Sequence, residues 1–86
     1  MSDVIEKLDT LIKNTMIPKI QNYIKDINKL IVEKKAKEDD YVALEEMESM
    51  YEDLIDIILT IEEEGLAEED AELIYQNIQN LIKELN

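Results

Sequence analysis

The chain has no histidine, no cysteine, no arginine, no phenylalanine and no tryptophan, and only one glycine and one proline in 86 residues. Each absence removes a class of chemistry. Without histidine no side chain has an ordinary pKa near neutrality, so Ser-His and Cys-His nucleophilic machinery cannot be built. Zinc sites lose both preferred ligand types, and without cysteine there is no disulfide framework. The missing arginine removes the planar fork that most phosphate and carboxylate sites use. A single glycine, Gly65, cannot make a phosphate-cradling loop. No cofactor is implied. No uninterrupted apolar run exceeds four residues, against the ~20 that a membrane-spanning helix needs. The first residues also lack the basic flank and apolar stretch of a leader. The expectation is a cytoplasmic protein without a membrane span.

What remains is aliphatic and acidic. Apolar residues make up 45% of the chain, and the four aromatics are all tyrosines, Tyr23, Tyr41, Tyr51 and Tyr75, so any core must be built mainly of Ile, Leu, Met and Val. At this length one domain is expected, burying roughly 60% of its unfolded surface and correspondingly marginal in stability.

Apolar residues recur at helical spacing almost throughout, and strict alternation is nowhere sustained. The pattern predicts an all-α protein. A first helix is expected from Asp3, with Glu6 reaching back to complete a capping box and Val4, Ile5, Leu8, Leu11 and Ile12 on the buried stripe. After Ile12 the stripe loses phase and Pro18 follows, so a break or kink is expected between Asn14 and Pro18, with Thr15 capping what comes next. A second helix carries Ile17, Ile20, Ile24, Ile27 and Ile31 at alternating spacings of three and four, an all-isoleucine heptad seam ending in lysines that favour the helix dipole. A third is expected from Asp39 or Asp40 to Glu64, on a seam of Leu44, Met47, Tyr51, Leu54, Ile58 and Ile61, stopped by Gly65 in the left-handed conformation. A last helix from Ala67 places Ala71, Ile74, Ile78, Leu81 and Leu85 inward.

These elements predict an antiparallel helical bundle of three main helices plus a short kinked N-terminal helical segment. Ile55, Ile57 and Leu59 add apolar surface beyond the third seam, to be covered by that first segment or by a second copy in a homodimer.

The net charge of −13 is unevenly divided. Residues 1–37 hold eight lysines and five acids; residues 38–86 hold one lysine, Lys83, and seventeen acids. That second part repels nucleic acid and anionic membrane and attracts cationic surfaces. Glu45, Glu48, Glu52 and Asp56 share a helix face that could hold magnesium. Glu45 and Glu48 resemble the first E-x-x-E pair of the all-helical nucleotide pyrophosphohydrolases, but the second acidic pair and a cation for substrate phosphates are missing. The stretch EEEGLAEED, residues 62–70, lacks the alternating ligands of a calcium loop. Glu68, Glu69 and Asp70 suit a helix start, whereas Glu62, Glu63 and Glu64 crowd a helix end that disfavours negative charge. Twelve acids lie between Glu38 and Glu64, one per ~3.4 Å of helix, close to the phosphate spacing of one DNA strand.

The sequence therefore predicts a non-enzymatic binding protein, without metal, that covers a basic surface on another protein, including one that itself binds nucleic acid. The residues expected to make that contact are Glu45, Glu46, Glu52, Asp53, Asp56, Glu62, Glu63, Glu64, Glu68 and Glu69. By analogy of size and charge, the class expected is that of inhibitors, immunity proteins, antitoxins and phage anti-defence proteins. The alternative is a helical homo-oligomer or chaperone-like module working through Met47, Met50, Ile55, Ile57 and Leu59, its acids serving only to keep it dissolved.

Overall fold

The computed structural model describes residues 3–85. Helix α1 (Asp3–Leu11) runs without a break through a π-helical segment, Ile12–Met16, into α2 (Ile17–Val32); α3 (Glu38–Glu62) and α4 (Glu68–Leu85) follow. There is no strand among the described residues, and none of their helices is long and apolar enough to cross a membrane. The first and second expected helices are thus one bent helix, and the fold is an all-α bundle of three.

The bent helix spans nearly the full 47 Å long axis of the molecule. Helix α3 folds back along α2, and α4 then turns to run beside α1. At ~1.5 Å per residue, α3 is ~37 Å long and α4 only ~27 Å, so the far end of the α2–α3 hairpin has no third helix against it. Tyr23, Tyr41, Val42 and Val32 are exposed there. The core lies at the other end, where Leu8, Ile12, Met16 and Ile20 meet Leu54, Ile58 and Ile61 of α3 and Ala71 and Ile78 of α4.

The expected break at Asn14–Pro18 does not occur, and the reason lies in spacing. Leu8, Ile12, Met16 and Ile20 are the four largest fully buried side chains, and they sit four residues apart. An α-helix has 3.6 residues per turn, so such a stripe would rotate by ~40° at each step and leave the core by ~120° after three. A wider π turn takes back that drift. Its bond from the Ile17 N–H to the Ile12 carbonyl spans five residues. Pro18, near the start of α2, has no N–H to offer and would clash with a carbonyl four residues back in a regular helix, so the irregular turn falls where the ladder is already interrupted. Thr15 is inside this segment and caps nothing; the residue preceding α2 is Met16, with no side-chain cap. Asp3 likewise is already helical, adding with Glu6 to the favourable charge of the first turn rather than capping from ahead of it.

The two interhelical connections share one geometry. Helix α2 ends with the Lys34 N–H donating to the Ile31 carbonyl and the Lys35 N–H to Leu30; α3 ends with Glu64 donating to Ile61 and Gly65 to Thr60. This is the Schellman pattern, whose left-handed position is normally glycine. Here Lys34 (φ 60°) and Glu64 (φ 59°) occupy it, and Gly65 does not. The expected stop at Gly65 is therefore displaced by one residue, and α3 ends at Glu62. Its start is at Glu38, just ahead of the expected position, because the Asp40 carboxylate accepts the Lys37 N–H at 2.9 Å and fixes the first turn.

Four outcomes follow from this arrangement. Met16→Ala should cost about 2–5 kcal/mol in urea unfolding, although its position in the sequence lies outside any regular stripe. Deleting Asn14 together with Pro18→Ala restores a four-three-four spacing and should leave stability within about 1 kcal/mol; deletion with Pro18 kept should cost about 3 kcal/mol more. Lys34→Gly should raise stability by about 0.5–1 kcal/mol by relieving a left-handed lysine. Gly65→Ala should also stabilise, by about 0.4–1 kcal/mol, because its added Cβ would meet Thr60 only at 3.7 Å; a loss of stability would show that Gly65 needs its freedom after all.

Candidate functional site

The α3 side chains divide by direction. Leu54, Ile58 and Ile61 are buried against the bent helix. At ~100° per residue, Glu45, Glu52 and Asp56 lie on the opposite, outward face, while Glu46 and Asp53 lie on the flank toward α4. Glu62, Glu63 and Glu64 gather at the end of α3, and Glu68 and Glu69 begin α4 just beyond the connection. All ten acids expected at a partner contact are exposed. They do not form one patch: they extend from the middle of α3 to the end of the bundle. Glu48 joins Glu45, Glu52 and Asp56 on the outward side, where Glu45 also borders the space toward α4; among the described residues no group of three or more is placed to hold a metal ion.

A groove connects some of these acids with apolar side chains. Helices α3 and α4 each lie against the bent helix, and their backbones come close to each other at few points, although Leu54 and Ile58 share the core cluster with Ile78. Between them is an open groove of about 520 Å³, with Met50, Leu54, Ile57, Ile78 and Leu81 along its floor and Glu45, Glu46, Ser49 and Asp53 along its α3 side. No cation lines it. A second groove, between α1 and α4, mixes Asp3 and Glu6 with Lys7 and is closed at one side by Tyr75. A smaller cavity at the α3–α4 connection is lined by Ile5, Ile61, Leu66 and Glu64.

The apolar set expected on α3 is dispersed. Met50 and Ile57 reach the α3–α4 groove, whereas Met47 lies in a separate cavity beside Ile20 and Tyr23 of α2. Ile55 projects ~160° away from Ile57 around the helix and packs against the core. Leu59 is 48% exposed. Sequence periodicity alone identified neither the groove nor its α4 wall, because both depend on which helices become neighbours. The wall's residues, Ile78 and Leu81, stand on the seam that the spacing places inward; Leu73, 62% exposed, does not line the groove.

Ion pairing does not reach the acidic part. Lys13 pairs with Asp9 at 3.2 Å and Lys35 with Glu33 at 3.7 Å, both within the lysine-bearing first part. Among the described residues none of the ten acids takes part in an ion pair. Among the described residues Asp9 leaves one carboxylate oxygen buried without a hydrogen-bond partner. Comparison with protein-family models, with curated proteins and with solved structures gives no match.

Proposed function

We propose that the protein is a non-enzymatic binding module whose acidic second part covers a basic surface of a partner protein, in the manner of a small inhibitor, immunity protein or antitoxin. A partner whose basic surface is itself a nucleic-acid site would lose access to its ligand while covered. The observation that carries this reading is that ten carboxylates on and after α3 are exposed and, among the described residues, in no ion pair.

Their cost to the fold supports it. Glu62, Glu63 and Glu64 stand at the negative end of α3, where each carboxylate destabilises by a few tenths of a kcal/mol. Glu64 also adopts a left-handed backbone, which for a residue with a Cβ costs about 1–2 kcal/mol. Neutral or basic side chains would serve the helix end better. Association with a cationic partner offsets that cost and makes encounter fast and salt-sensitive. A second reading, self-association or client binding through apolar surface, draws on exposed Leu59 and Leu73.

Affinity capture from the cell in which the protein occurs, eluted with rising salt, separates the two. The partner should be released as ionic strength approaches ~1 M, where the Debye length falls to about 3 Å. Glutamine or asparagine at all ten acidic positions should abolish capture with helicity unchanged by circular dichroism. Capture that persists at high salt and after that replacement, yet disappears with Leu59→Lys, would establish the apolar reading instead.

A further inference from the structure

We infer that the α3–α4 groove seats a basic amphipathic helix of the partner protein, which enters as the fourth helix of the bundle. This rests on the acidic-surface reading above and narrows it to one seat.

The shape argument begins with the bent helix. Two helices that lie on a common third helix while standing apart from each other leave one position vacant, and in a four-helix arrangement a further helix fills it. The groove's floor supplies what such a helix needs, since Met50, Ile57 and Leu81 can receive apolar residues spaced i, i+3 or i+4, and i+7. Methionine at one end of that floor adapts to the shape of the incoming side chains.

Charge selects the occupant. Glu45, Glu46 and Asp53 border the floor and no lysine does, so the flanks of the incoming helix should carry lysine or arginine. A second copy of this chain does not meet that description. Its lysine-bearing helix, α2, already buries Ile20 and Ile27, while the outer surfaces of α3 and α4 offer acids and amides. A homodimer across this groove would therefore place carboxylates against carboxylates. Nucleic acid is repelled by the same charges.

The test uses a helical peptide of about three heptads, with leucine on its apolar stripe and lysine on its flanks, and its counterpart with glutamate for lysine. Binding is read by fluorescence anisotropy at ~0.15 M salt, where charges more than about 8 Å away are largely screened. The lysine peptide should bind and the glutamate peptide should not. Glu46→Lys with Asp53→Lys, both exposed, should weaken the lysine peptide by at least about tenfold and confer binding of the glutamate peptide. The equal charge change at Glu48→Lys with Glu72→Lys, an exposed outward pair that neither lines the groove nor belongs to the ten, should alter binding less than about threefold. Ile57→Asn should weaken binding of the lysine peptide by at least about tenfold with helicity retained.

Equal weakening by the outward pair would assign the attraction to overall charge and sink the groove. So would failure of the lysine peptide to bind while the natural partner is still captured and salt-released, an outcome that spares the broader reading. Loss of salt-released capture altogether would remove both. If sedimentation shows a dimer that the Ile57 variant dissociates, the occupant is a second copy and the inference is overturned.

Discussion

The arrangement of the helices depends on a stripe whose period is four residues. Leu8, Ile12, Met16 and Ile20 are all buried to within 1% exposure, and a regular α-helix cannot keep four such positions on one face. The π segment Ile12–Met16 resolves the conflict by widening one turn, so the long helix presents a continuous apolar surface through its bend. Both other helices pack on that surface. Pro18 makes the irregular turn inexpensive, because a proline at that point has already given up a ladder hydrogen bond.

A central helix that serves both neighbours has a consequence for the surface. Since α3 and α4 are held by the same third element, little contact between them is required, and the space between them stays open. The acids on the α3 side of that space, and those at its end, take part in no ion pair among the described residues, and all lysines but Lys83 come before residue 38. The separation of charge along the chain thus becomes a separation in space, with the basic α2–α3 connection at one end and the acidic α3–α4 connection at the other.

Much of this was legible in the residues themselves. The isoleucine seam of α2 and the inward positions Leu54, Ile58, Ile61, Ala71 and Ile78 follow from spacing alone, since burial of one face is what makes a helix amphipathic. The fusion of the first two helices was not legible, because Pro18 predicts a break and only the depth of Met16 within the core decides against it. The exchange of Gly65 for Glu64 at the left-handed position was not legible either, because the preference of glycine for that conformation places the turn one position later than it falls. Exposure of the ten acids could be read from composition. Their distribution between outward face, groove and helix end could not, because it depends on the neighbour that each flank of α3 acquires.

The difference in length between α3 and α4 divides the molecule into parts of unequal resistance to opening. Near Leu8 and Met16 the bent helix has both other helices against it, whereas beyond Tyr23 the hairpin of α2 and α3 rests on itself, with Ile27 buried but outside the main cluster. Backbone amides in that outlying hairpin need only separate from one partner to reach water, so they exchange their hydrogens through small local excursions. Those around the π turn must wait for the whole domain to come apart.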